Sequence, residues 1–166
     1  TDAIAGLRIG KDKGRYITVE TDRLSMTPED FNEQVENIAA EIISLKGDTR
    51  KTALIVGLGN SDITPDALGP LVISQVIATR HLHDVLPDGH DLKNLNRVSA
   101  IAPGVLGQTG IEVAEIVRTL CDEIKPDCVI VIDALACSDV SRLGTTIQLT
   151  DTGISPGSGV QNRRKE

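Results

Sequence analysis

Short apolar runs alternate with longer amphipathic stretches along this chain. The runs have the length of β-strands, and DCVIVIDAL is the most apolar of them. The segment TTIQLT alternates threonine with aliphatic residues, which is typical of a strand at the edge of a sheet. The predicted strands are therefore 15–20, 52–59, 97–103, 127–135 and 145–150.

Three helices are predicted between these strands. The first covers 27–47, because a threonine–proline pair opens it, apolar residues recur at helical spacing and a glycine ends it. The second runs from about 67 to 83. The third ends near 124, and Thr109 and Glu112 have the spacing of a capping box at its start.

The alternation of strands and helices predicts the fold class. It is typical of an α/β protein with three layers, in which a mostly parallel sheet has helices on both faces. The length of 166 residues suits a single domain over 1–166, large enough to bury a core. Residues 1–14 are polar and contain glycine, so we expect a flexible lead-in there.

Composition and charge narrow the range of functions. The net charge of −7 argues against binding to a phosphate backbone, and one Phe, one Tyr and no Trp leave few side chains for stacking on bases. No apolar stretch reaches the length of a membrane span. The three cysteines lack C-x-x-C spacing, and their odd number suits a reducing cytoplasm. We therefore expect a cytoplasmic protein that binds neither nucleic acid directly nor membrane.

Two aspartates follow predicted strands at the sheet edge where open parallel sheets bind ligands. Asp66 lies in the loop after 52–59, and Asp133 lies near the tip of the most apolar strand. Partial burial there should raise the pKa of a carboxyl group, and two carboxyl groups brought together can share a proton, as in aspartic peptidases. Alternatively, both aspartates cap local turns or helices. The spacing alone leaves both interpretations open.

Other motifs give weaker indications. Gly57 and Gly59 begin a dinucleotide-binding pattern, but Asp62 stands where a third glycine belongs. Asp151 opens a D-T-G tripeptide, which we take as a third candidate carboxylate or as a turn former. The histidines His81, His83 and His90 are more typical of solvated surface positions than of a metal site. The cysteines are most simply small buried apolar residues, and Cys137, in a polar loop, is the only candidate for a reactive one, although no activating histidine is evident.

Several long motifs occur in a familiar order. ALIVGLGN…TPDALGP, VSAIAPGVLGQTGIE, KPD.VIVIDALA and TIQLTDTGI.PGSGV.N.RKE closely resemble the spore germination proteases of endospore-forming bacteria. These are atypical aspartic endopeptidases that degrade small acid-soluble spore proteins. The resemblance implies that Asp66 and Asp133 are the catalytic pair and that no metal or other cofactor is needed. It covers 51–166 strongly and the region before it more loosely.

The same resemblance implies how such a protein is made and where it works. Members of the family are zymogens that trim their own N-terminus, assemble as homotetramers and act in the spore core during germination. Cys137, Ser138 and Gln161 depart from the family pattern, but these departures do not involve the aspartate pair. Family members continue beyond the final RKE, so we expect the C-terminal part of the peptidase domain to be absent from this chain.

A second family has a related pattern. GLGN…PDALG followed by a strand that ends in IDA also looks like the hydrogenase maturation endopeptidases, and we expect a similar fold. In that alternative, Asp66 and Asp133 would be metal ligands. The third ligand would be a histidine after a later strand, but no histidine follows His90. A binding module without enzymatic activity is a third hypothesis, and it would leave both aspartates without a chemical role.

Overall fold

The computed structural model of the chain describes residues 12–21, 30–47, 51–137 and 139–154. The strands are β1 Tyr16–Glu20, β2 Thr52–Gly57, β3 Arg97–Ile101, β4 Cys128–Ile132 and β5 Thr146–Thr150. The helices are α1 Phe31–Lys46, α2 Leu68–Gln75, α3 Leu82–Val85, α4 Leu106–Thr109 and α5 Val113–Ile124. Short 3₁₀ turns cover Thr64–Asp66, Asp91–Asn94 and Val140–Arg142.

These elements form two compact units. One contains β1, α1 and β5, and the other contains every element from β2 to β4. Most of the predicted lead-in and the predicted start of the first helix lie outside the described residues. The single-domain organisation stays a prediction. Within the described residues, no helix is both long enough and apolar enough to cross a membrane.

The larger unit is built on a three-stranded parallel sheet in the order β3-β2-β4. Leu54 and Val56 of the central strand are almost fully buried, and with Leu58 they form the core. The partly buried residues that pack against them are Ile101, Val113, Val117, Leu120, Cys121, Ile124 and Val131. Most of these come from α5, so alternate residues of β2 point toward that helix.

The opposite face of β2 contacts α2. A Cβ atom built on Gly57 would overlap the carbonyl group of Gly69, which lies in the first turn of that helix. Since successive residues of a strand point to opposite faces, α2 and α5 cover the two sides of the sheet. The prediction of an α/β fold with a mostly parallel sheet is therefore confirmed.

The smaller unit pairs β1 with β5 in an antiparallel ladder that joins Tyr16 to Thr150 and Glu20 to Thr146. Both strands were predicted, but β5 does not join the parallel sheet. α1 ends as predicted at Gly47, which has a φ of 75° and donates its N–H to the carbonyl of Ile43.

The prediction of one helix over 67–83 is wrong in its second half. α2 ends at Gln75, and the chain is extended at Val76. The reason is Thr79, which is 5% exposed and bonds to the start of β3. Its hydroxyl donates to the carbonyl of Asn96 and accepts from the N–H of Val98, and its own N–H donates to the Val98 carbonyl. These tertiary bonds replace the helical ones.

The predicted capping box is also wrong, although the end of its helix at Ile124 is confirmed. Thr109 is the last residue of the separate short helix α4, and its hydroxyl accepts from the N–H of Ile111. Glu112 precedes α5 but makes no side-chain bond to it. The local sequence pattern did not distinguish one helix from two.

We expect Thr79→Val to lower the free energy of unfolding by about 1–3 kcal/mol, because it leaves the Val98 N–H and the Asn96 carbonyl without their side-chain partner. Urea denaturation of the folded protein measures this. The matched control is Thr119→Val, since the Thr119 hydroxyl is exposed on α5 and bonds only to the preceding turn. Equal effects of the two substitutions would contradict the tertiary role of Thr79.

Candidate active site

The loop after β2 positions Asp66. The chain turns at Gly59, whose φ of 114° favours glycine and where a Cβ atom would overlap the carbonyl oxygen of Asp66. The 3₁₀ turn Thr64–Asp66 then leads into α2. The N–H of Asn60 donates to Oδ2 of Asp66 at 2.9 Å and to its carbonyl oxygen at 3.1 Å. The loop therefore closes on itself and holds the half-buried Asp66 at its base.

Asp133 follows directly after β4, the neighbour of β2 in the sheet. The N–H of Leu58 donates to the carbonyl of Ile132 at 2.8 Å, so the pairing of the two strands continues to this end. The side chain of Asp133 is half-buried, and its Oδ1 accepts from the N–H of Ala134 at 2.9 Å. Parallel strands end at the same edge of the sheet, which brings Asp133 toward the loop that carries Asp66.

The electrostatics of the pair reflect this placement. Burial raises the pKa of Asp133 above its ordinary value, the bond from Ala134 N–H opposes that rise, and the negative charge of Asp66 adds to it. The charge of Asp66 therefore reaches Asp133 at this edge of the sheet. Such a pair can hold one proton between its members and can therefore serve as an acid and a base at once.

Two amide side chains beside the pair were missed by sequence reasoning. Gln108, on α4 after β3, donates its Nε2–H to Oδ1 of Asn60 at 3.0 Å and lies 3.4 Å from Oδ2 of Asp62. Asn60 Oδ1 also accepts from the N–H of Asp62 at 2.9 Å. The loops that follow β2 and β3 are thus linked. The only available signal was that both amides follow predicted strands, at the edge where ligands bind.

Asp151, the third candidate carboxylate, lies in the smaller unit. Its Oδ1 accepts from the N–H of Arg15 at 2.8 Å, and this bond closes the end of the β1–β5 pair. Because this bond joins two distant segments, the role of Asp151 as a local turn former stays a prediction.

The histidines His83 and His90 and the cysteine Cys137 each have a partner nearby in the chain. His83 donates from Nε2 to the carbonyl of Leu95 at 3.0 Å, and Nδ1 of His90 accepts from the N–H of Leu92 at 3.3 Å. Cys137 is exposed, with its Sγ 2.7 Å from the carbonyl of Asp139. In the described part of the chain, no group of three or more His, Cys, Asp or Glu side chains is arranged to hold a metal ion.

The raised pKa of Asp133 predicts a pH-dependent cost to stability. A carboxyl group whose pKa is higher in the folded protein than its ordinary 3.8 favours folding below that value, and this contribution is lost as pH rises through the folded pKa. We therefore expect the stability of Asp133→Asn, relative to that of the wild-type protein, to increase as pH rises from about 4 to about 7. Urea denaturation midpoints across that range measure the difference.

The dependence of this effect on Asp66 supplies a second measurement. The trend should weaken in an Asp66→Asn background, because the charge that contributes to the raised pKa is gone. Asp122→Asn, the same substitution at an exposed position of α5, provides the reference. A stability difference that stays constant with pH would contradict the expectation.

The family model described as germination protease matches residues 1–166. A germination protease of Caldanaerobacter subterraneus is 51% identical over 94% of this chain and 48% of its own length. Corresponding proteins of a Geobacillus species and of Clostridium acetobutylicum are 47% and 46% identical over 95% and 96% of this chain. The chain covers 44% and 50% of their lengths, so it spans about half the length of these relatives. This chain belongs to the germination protease family.

Proposed function

We propose that this chain carries the catalytic pair of an endopeptidase that hydrolyses small acid-soluble spore proteins during germination. The observation that carries the proposal is that Asp133 directly follows β4 and that Asp66 lies in the loop after β2, the adjacent parallel strand. They are close enough for the charge of one to raise the pKa of the other. Membership of the germination protease family supports the assignment to peptide-bond hydrolysis.

The proposed chemistry uses the two carboxyl groups in different protonation states. We assign the acid role to Asp133, whose pKa is raised by burial and by the charge of Asp66, and the base role to Asp66. Asp66 takes a proton from a water molecule, whose oxygen attacks the carbonyl carbon of the scissile amide. Asp133 gives its proton to the amide nitrogen, and the carbon–nitrogen bond breaks. After the bond breaks, Asp66 holds the proton taken from water and Asp133 is ionised. Transfer of one proton from Asp66 to Asp133 then restores the starting state.

This chain spans about half the length of these relatives. The proposal therefore concerns the whole protein. We propose that the full protein is made as a zymogen, removes its own N-terminal segment, assembles as a homotetramer and acts in the spore core. A fold similar to that of the hydrogenase maturation endopeptidases is part of the same proposal. Its support is the α/β arrangement with strand-end carboxylates.

The experiment that tests the function is cleavage of a small acid-soluble spore protein by the full-length, processed enzyme in excess EDTA. We expect cleavage to continue at an unchanged rate, because two carboxyl groups can activate water without a metal ion. Cleavage that stops in EDTA and returns on addition of a divalent metal would make the aspartates metal ligands instead. Binding of the substrate with no cleavage under either condition would favour a binding module.

A further inference from the structure

Asn60 lies at the centre of a small hydrogen-bond network beside Asp66. Its side-chain oxygen Oδ1 accepts from the backbone N–H of Asp62 and from Nε2 of Gln108, at 2.9 and 3.0 Å. The N–H of Asp62 can only donate, so the atom that faces it must be the oxygen of the Asn60 amide rather than its nitrogen. The orientation of this amide is thus determined by its partners. We call Asn60, Asp62 and Gln108 the amide network.

The backbone of Asn60 connects this network to the proposed catalytic carboxylate. Its N–H donates both to Oδ2 and to the carbonyl oxygen of Asp66. The preceding residue, Gly59, packs so closely on the Asp66 backbone that no side chain fits there. The backbone of Asn60 therefore supplies a hydrogen bond that orients the Asp66 carboxylate. A rotation of the Asn60 peptide would move the donor and release the carboxylate.

Gln108 adds a contact that a local turn does not require. It is separated from Asn60 by 48 residues and reaches it from the loop after the neighbouring strand β3. The turn at Asn60 and Asp62 needs only the bond from Asp62 N–H to form. The bond from Gln108 instead fixes this turn against a second strand-end loop, which is the support that a precise catalytic position needs.

We propose that Asn60 is a positioning residue for Asp66 and that Gln108 acts through Asn60. This inference rests on the proposed peptidase function. Neither residue transfers a proton; together they hold the Asp66 carboxylate at the distance and angle at which it can accept a proton from water. Loss of either should therefore slow the chemical step and leave substrate binding nearly unchanged.

Steady-state cleavage of a small acid-soluble spore protein by the full-length enzyme tests this proposal. We expect Asn60→Ala to lower kcat by about 10- to 100-fold, with KM changed by less than about twofold. Gln108→Ala should lower kcat by about 2- to 10-fold, the effect of one hydrogen bond. The double variant should be no slower than Asn60→Ala alone, because Gln108 has no effect once Asn60 is absent.

Asn94→Ala is the matched control, since Asn94 is exposed before β3 at the opposite end of the sheet. Thermal unfolding of every variant shows whether the fold is retained. If Asn60→Ala does not fold, the exposed Gln108 still gives the test. A wild-type kcat in both Asn60→Ala and Gln108→Ala would overturn the proposal. So would a double variant whose loss of kcat equals the product of the two single losses. A raised KM with natural kcat would assign the network to substrate binding instead.

Asp66→Asn in the same assay separates this inference from the function on which it rests. If Asp66→Asn cleaves at the natural rate, the proposed function itself fails. If Asp66→Asn is inactive while Asn60→Ala has the natural kcat, the catalytic pair stands and only the positioning role is wrong.

Discussion

Replacing Asp66 or Asp133 by asparagine is expected to lower kcat for cleavage of a small acid-soluble spore protein by about 10²–10⁴-fold. Asparagine has nearly the same shape as aspartate, but it can neither take a proton from water nor give one to an amide nitrogen at neutral pH. At position 66 its side-chain oxygen can still accept the bond from Asn60 N–H, so the loop should keep its conformation.

The double variant provides the sharper measurement. Two groups that act as one unit do not contribute independently, so Asp66→Asn combined with Asp133→Asn should be about as slow as either single variant. Circular dichroism and thermal unfolding of the full-length protein verify that each variant folds. Asp122→Asn, the exposed control on α5, should cleave at the natural rate. A single variant that keeps the natural rate would remove that aspartate from the mechanism.

Gly69→Ala is expected to destabilise the protein by about 3 kcal/mol, the upper end of the range for overpacking. A Cβ atom at Gly69 would overlap the backbone oxygen and nitrogen of Leu58 and the carbonyl carbon of Gly57. Backbone atoms of the central strand cannot move aside as the end of a flexible side chain can. The helix α2 must therefore shift away from β2, and the adjoining turn with Asp66 should shift with it.

Urea denaturation of full-length Gly69→Ala measures this loss. The matched control is Gly107→Ala, because Gly107 also lies in a helix but a Cβ atom added there would have no neighbouring atom within 4 Å. Alanine is favoured over glycine in helices, so this control should be neutral or slightly stabilising. A destabilisation of similar size in both variants would mean that the close approach of α2 to β2 does not limit the packing.

The strand-end aspartates illustrate how far sequence reasoning reaches. Asp133 stood out because burying an ionisable residue at the tip of so apolar a strand costs free energy, and this cost suggested a function. Asp66 stood out because it lies in the loop after another buried strand. The rule that parallel strands present their carboxyl ends at one edge then predicted that both lie at that edge. The pairing of β2 with β4, which makes their following loops neighbours, became known from the folded chain.

The amide network illustrates where that reasoning stops. Asn60 and Gln108 are ordinary polar residues in their own segments, and neither has a local pattern that indicates a role. Their contact depends on β3 lying next to β2, which makes neighbours of residues that are 48 positions apart. A hydrophobic period contains no information about which strand pairs with which.

Local patterns in the amino-acid sequence were enough to predict the α/β class, the five strands, the end of α1 at Gly47 and the two strand-end carboxylates. These features follow from apolar spacing and from residue preferences, which act over a few positions. The pairing of β5 with β1 and the end of α2 at Gln75 became known from the folded chain alone. The same is true of the link between Gln108 and Asn60. Each of these depends on hydrogen bonds between distant segments, and such bonds override local preference once the chain has folded.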